Sequence, residues 1–139
     1  MVNKRNDKNM QFVIKMSVRD YECDLQGIVN NAVYQNYLEH ARHKYLQSKG
    51  LDFAKLHENG HDLVITSCEI KYLQSLGSGD DFLIGLDIQR KSRLRFGFDQ
   101  EIRRPNGDLV LLGNFTGTCL NRDGRPGFPL EIDSLFDVD

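Results

Sequence analysis

The stretch Tyr21-Glu22-Cys23-Asp24-Leu25-Gln26-Gly27-Ile28-Val29-Asn30-Asn31-Ala32-Val33-Tyr34 decides the fold of this chain. It sets one carboxylate, Asp24, on a glycine-containing loop that runs directly into a strongly patterned helix. The apolar and aromatic residues that follow are Tyr34, Tyr37, Leu38, Ala41 and Tyr45. Their spacing is the i, i+3, i+4, i+7, i+11 series of one helical face. Asn30 and Asn31 both suit the N-cap, because their side-chain oxygens accept a hydrogen bond from an early helix amide. Gly50 is the expected stop. The spacing therefore predicts a helix over roughly Asn31 to Ser48, with Asp24 just upstream of its unpaired N–H groups and positive dipole end. Such an end can hold a developing oxyanion while the acid attacks a carbonyl carbon or activates water against it.

Outward from that segment, the pattern is one of strands. Phe12, Ile14, Met16 and Val18 alternate with Gln11, Val13, Lys15, Ser17 and Arg19, which reads as a first strand. After the long helix, a short one is expected from Asp52 to Glu58, capped by Asp52 and stopped by Gly60. Val64, Thr66, Cys68, Ile70 and Tyr72 read as one face of the next strand. Phe82, Ile84, Leu86 and Ile88 give another, then Leu94, Phe96, Phe98 and Ile102. Leu109 to Leu120 alternates less strictly, as a strand buried on both sides does. Gly77-Ser78-Gly79-Asp80, Pro105-Asn106-Gly107-Asp108 and Asn121-Arg122-Asp123-Gly124 supply turn chemistry. One strand, one long helix and an antiparallel run of four strands is an α+β pattern.

Composition narrows the class of function. At 139 residues the chain reads as one domain with a real core, over 10–139. Residues 1–9 are polar and charged and read as a flexible tail. A net charge of −2 lacks the basic excess of a nucleic-acid binder. With no signal peptide and no long apolar run, no membrane span is expected and a soluble cytoplasmic protein is the default. Cys23, Cys68 and Cys119 are odd in number and irregular in spacing, so reduced thiols are expected rather than a disulfide frame. The sequon Asn114-Phe115-Thr116 then carries no glycan.

The opening residues also carry a resemblance. Asp24-x-x-Gly27-x-Val29-x-Asn31-x-x-Tyr34, followed by Tyr37-Leu38-Glu39-x-Ala41-Arg42, resembles the 4-hydroxybenzoyl-CoA thioesterase family of hotdog-fold acyl-CoA thioesterases. The match is specific over Val18 to Leu46 and runs in register to about Pro129. It implies a single hotdog domain, a curved antiparallel sheet wrapped around the long helix, assembled as a dimer or tetramer. It implies hydrolysis of an aliphatic or aromatic acyl-CoA, with coenzyme A as part of the substrate and no metal or redox cofactor. Asp24 is then the catalytic nucleophile or base, and the Asn31 backbone N–H points at the thioester carbonyl. Relatives often carry His or Tyr at the position of Asn31, so the implied role belongs to its backbone. Gly27, Tyr21 and Tyr34 are expected to contact the substrate, the two tyrosines lining the acyl pocket.

Other residues admit two readings each. In Arg90-Lys91-Ser92-Arg93-Leu94-Arg95, the basic side chains are either a solvated strand end or, as the family implies, a dock for the nucleotide phosphates through Arg90, Lys91 and Arg93. Glu39 and Arg42, spaced i, i+3, read as a helix-surface ion pair. A neighbouring hotdog branch, resembling phenylacetyl-CoA thioesterases, instead uses an acid on the long helix. Glu39 stands about 12 Å from its own helix start and would act only across a dimer interface. His57-Glu58-Asn59-Gly60-His61 fits H-E-x-x-H, but the internal glycine points to solvated histidines at a helix end rather than a zinc site. Cys23 reads as a spectator thiol. Val29-Asn30-Asn31-x-x-Tyr34 is similar to a segment of fatty acyl-ACP thioesterases, although Gln26 and Ile28 stand where those carry Asn and His. An acyl-ACP thioesterase and a non-catalytic acyl-binding hotdog protein are therefore the alternatives.

Overall fold

The computed structural model describes residues 10–137; the tail expected over 1–9 lies outside the described residues. Five strands form one antiparallel sheet: β1 (Phe12–Ser17), β2 (Asp62–Tyr72), β3 (Asp81–Ser92), β4 (Arg95–Arg103) and β5 (Leu109–Leu120), in the order β1-β3-β4-β5-β2. The long helix α1 (Asn31–Ser48) lies across one face, and the short α2 (Phe53–Glu58) follows it. This is the helix-in-sheet arrangement that the sequence implied.

Helix α1 forms where its periodicity placed it. Tyr34, Tyr37, Leu38, Ala41 and Tyr45 are all buried. They pack against Phe82, Ile84 and Leu86 of β3 and Phe98 of β4. Burying a side chain the size of Leu38 fully stabilises the fold by about 1.5–3 kcal/mol. Of the two candidate caps the fold uses Asn30, whose Oδ1 accepts from the Ala32 N–H at 2.9 Å. Gly50, at φ +81°, ends the helix while the Leu51 N–H returns to the Leu46 carbonyl at 2.8 Å. Asp52 caps α2 in the same way through the Ala54 N–H.

The sequence reading needs three corrections here. The turn Gly77–Asp80 does not join paired neighbours: β2 pairs with β5 at one edge, so the chain crosses over β5 and β4 to reach β3, which lies between β1 and β4. Sequential order alone cannot show such a jump, since antiparallel partners are chosen by packing. Second, β2 is bulged. Ile65 opposes Gly117 whereas Ser67 opposes Thr116, so Thr66 is the extra residue. Leu63 and Ile65, not Val64 and Thr66, therefore share a face with Cys68, Ile70 and Tyr72. That face looks toward α1, because a Cβ on Gly113, opposite Ile70, would sit 3.6 Å from Leu38. Third, the segment after Leu120 carries a further helical turn, α3 (Leu130–Asp133), continued by a 3-10 turn (Ser134–Asp137). Its buried Ile132 and Leu135 close the cleft end beside Leu46 and Ile88.

Candidate active site

Residues 23–29 form a closed hairpin whose tip carries Asp24. Cys23 bridges Val29, and the Asp24 N–H donates to the Ile28 carbonyl at 2.9 Å. The tip turns through Gly27 at φ +82°. A Cβ there meets nothing within 4 Å, so the glycine answers a need for left-handed backbone rather than for space. The base of the hairpin is tied twice to the molecule. The Val29 N–H donates to the Leu76 carbonyl at 2.8 Å, and the Asn30 N–H to the Glu22 carbonyl at 3.3 Å. The carboxylate loop is thus clasped onto the residue that caps α1.

Asp24 is exposed and uses its two oxygens unequally. Oδ1 accepts from the Gln26 N–H at 2.8 Å and the Ile28 N–H at 3.4 Å, which fixes the rotamer. Among the described residues Oδ2 has no hydrogen-bond partner. Asn31 is the first helical residue, and its N–H has no acceptor within the helix. Tyr21, 80% exposed, stands at the mouth of the loop. Tyr34 is core: it is 2% exposed and its hydroxyl accepts from the Leu76 N–H at 2.9 Å. Its share in the site is to brace the strut that holds Val29.

Sequence reasoning missed Glu22. Its carboxylate accepts from the Tyr37 hydroxyl at 2.7 Å, the Arg19 N–H at 2.9 Å and Arg19 Nη1 at 3.0 Å. Partial burial works against the Glu22 anion, but these donors outweigh it and hold the carboxyl below its ordinary range. Burial and the Glu22 charge push the Tyr37 phenol up. The signal was available in principle: an acid two residues before Asp24 and a tyrosine on the buried stripe of α1. Cys23, beside Asp24, has its thiol pushed up by burial and by the acids around it, the reverse of a nucleophile's environment.

The basic segment falls at the far end of β3. Arg90 lies nine residues from Asp81, about 30 Å along the strand, whereas the Asp24 hairpin bridges Gly77 near the strand's start. Arg90 pairs with Asp133, donates to the Ser92 and Arg93 carbonyls and sits 4.7 Å from the Phe128 ring centroid. It thereby anchors the C-terminal segment. Lys91 Nζ donates to Thr116 Oγ1 at 3.2 Å, and Arg93 is exposed.

The ion pair expected between Glu39 and Arg42 does not form. Glu39 leans to His43 Nε2 at 3.7 Å. Arg42 turns inward, because β5 offers it the ring of Phe115 and β4 the amide of Gln100. His57 closes α2 and contacts Asp62 Oδ1 at 2.7 Å. Gly60, at φ +88°, takes His61 off that helix, so the two histidines are not one turn apart.

Residues 18–136 match the model of the thioesterase-like superfamily. The chain belongs to that superfamily. Two chloroplastic acyl-acyl carrier protein thioesterases of Arabidopsis thaliana are 38% and 39% identical to it over 125 residues, 88% of this chain and 66% of theirs. The chain thus spans just under two thirds of the length of these relatives. Among solved structures, a hypothetical protein from Aquifex aeolicus superposes with TM-score 0.84 at 27% identity, covering 90% of this chain and 98% of that one. A 1,4-dihydroxy-2-naphthoyl-CoA thioesterase from Synechocystis does so with TM-score 0.84 at 20% identity, covering 88% and 93%. The thioesterase-like chain has the hotdog fold of these neighbours.

Proposed function

We propose that this protein hydrolyses an acyl-CoA thioester to a carboxylic acid and free coenzyme A. The observation that carries this is the clasp: a carboxylate with one unpartnered oxygen held on the same short hairpin that ends at the cap of α1, beside a free helix-start amide. The thioester C=O would accept from the Asn31 N–H, which develops into an oxyanion contact as the carbon becomes tetrahedral. Asp24 Oδ2 then either attacks that carbon to give a mixed anhydride, expelling the thiolate, or takes a proton from the water that attacks. In both routes one water is consumed and the thiol leaves. Neither route calls on a metal or redox cofactor.

A second reading, acyl-acyl carrier protein as the substrate, is favoured by a specific observation. Arg90 and Lys91 are exposed but already engaged within the chain, which leaves Arg93 as the cation of the proposed phosphate dock whose side chain has no partner among the described residues. The dock also lies at the end of β3 opposite to the one near which the Asp24 hairpin bridges Gly77, about 30 Å along the strand, so it would serve a site on a neighbouring subunit. The free edge of the sheet supports that arrangement. Among the described residues β2 has a partner on one side only, and it exposes Ile65 and Tyr72 along its 11 residues. Such an edge invites pairing with a second copy. We read the active form as a homodimer at least. The test is a panel of acyl-CoA and acyl-carrier-protein thioesters with a thiol-detecting readout, run beside light scattering. Turnover of neither class would reject the reaction, and an active monomer at micromolar concentration would reject the assembly.

Among the described residues no helix is long and apolar enough to cross a membrane.

A further inference from the structure

We propose that the groove between α1 and β2 takes the acyl group, and that Arg42 in its floor selects acyl chains bearing a hydroxyl or oxo oxygen far from the thioester. This rests on the reaction proposed above and adds the class of substrate to it. The groove has a volume of ≈ 460 Å³, within the range of small-molecule sites. Its walls differ in character: Gln35 and Glu39 of α1 give it a polar side, and Ile65, Phe53 and Phe96 an apolar one.

Arg42 is the group this lining does not explain. It is 9% exposed, yet carries a charge with five N–H donors. Among the described residues it makes one hydrogen bond, Nη1 to Gln100 Oε1 at 2.8 Å. Its guanidinium also lies 4.4 Å from the Phe115 centroid. Among the described residues no carboxylate stands within ion-pair distance of it, and Glu39 is drawn to His43. The other donors of Arg42 are not among the buried unpartnered atoms, so they open onto the groove, where a ligand oxygen can take the place of water. Glu39 on the same wall opposes a second carboxylate, so the fitting group is a neutral oxygen rather than an acid. Position follows from helix geometry. Arg42 is eleven residues after Asn31, which returns it to nearly the same helical face about 16 Å along the axis. The oxygen it meets is therefore distal to the carbonyl held at Asn31, not adjacent to it.

The experiment compares kcat/KM for decanoyl-CoA, 3-hydroxydecanoyl-CoA and 10-hydroxydecanoyl-CoA, with acetyl-CoA alongside and the same acyl groups on carrier protein. The wild type should favour the 10-hydroxy chain over decanoyl by about tenfold, the scale of one hydrogen bond to a charged donor. The 3-hydroxy chain should gain nothing. Arg42→Met should bring the 10-hydroxy to decanoyl ratio to about one. Because that change strands Gln100, Ile65→Trp gives an independent reading. It narrows the groove from the β2 side and should shift preference toward acetyl-CoA by at least about tenfold, the scale of burying a few methylenes. Equal wild-type rates on decanoyl and 10-hydroxydecanoyl, or a folded Arg42→Met that keeps the preference, overturns the role of Arg42. An Ile65→Trp protein with unchanged chain-length preference overturns the groove. If the wild type cleaves thioesters without these preferences, only this inference falls; if it cleaves none on either carrier, the proposed reaction falls as well.

Discussion

Replacing Asn31 by proline isolates one atom pair of the proposed mechanism. Asn31 is the first residue of α1, the one helical position where proline costs little: its N–H has no intrahelical acceptor and the proline ring is pre-set for a helical φ. The preceding residue must be extended, and Asn30 already is, at φ −68° and ψ 141°. Asn30 keeps its cap on Ala32, and its carbonyl still accepts from the Val33 N–H at 2.9 Å. Asn31→Pro should therefore change stability by less than about 1 kcal/mol. It deletes the amide offered to the carbonyl oxygen, and loss of one oxyanion donor lowers turnover by about 10²–10³-fold. Asn31→Ala keeps the amide and should stay within about tenfold of wild type by the same principle. Asn30→Ala supplies the opposite control: it removes the cap at a cost of about 1 kcal/mol of stability and leaves the Asn31 amide in place. Thiol release read beside thermal melting separates the three. A proline variant that melts normally and still turns over near the wild-type rate refutes the assignment of the oxyanion site.

Asp24→Asn keeps the Oδ1 contact that shapes the hairpin but removes the anion, so melting should hold while kcat falls by at least about 100-fold. Arg93→Ala should raise KM for acyl-CoA with little change in kcat and no effect on an acyl-pantetheine, because phosphate binding is remote from the reacting bond. Arg90→Ala should instead lower the melting temperature, since it frees Phe128 and Phe136; equal effects from the two arginines would reject this division. Burial pushes the Cys119 thiol up to about 11 from 9.0. Its contribution to stability is therefore full below pH 9, where folded and unfolded thiols are both protonated. It is lost as pH rises from 9 toward 11, where only the unfolded thiol ionises. Melting curves across that window should show a decline that Cys119→Val reduces.

What the sequence by itself determined is local. The stripe of Tyr34, Tyr37, Leu38, Ala41 and Tyr45, the flanking Asn30 and Gly50, and the turn glycines fix their elements through backbone geometry and near neighbours, so one chain read in order suffices. The Asp24 hairpin and its junction with α1 were legible for the same reason: seven residues separate the carboxylate from the amide. Tertiary structure decided everything set by partners distant along the chain. It moved β2 to the edge beside β5 and bulged it at Thr66, so that Ile65 rather than Val64 faces the helix. It brought Tyr37 to Glu22, and it made Arg90 a clamp on the C-terminal turn. Arg42 is the sharpest case. Beside Glu39 in sequence it reads as half of a surface pair. Its burial is decided by Gln100 and Phe115, at positions 58 and 73 residues onward, because a guanidinium goes where the sheet offers it a ring and an acceptor, and no local pattern records that offer.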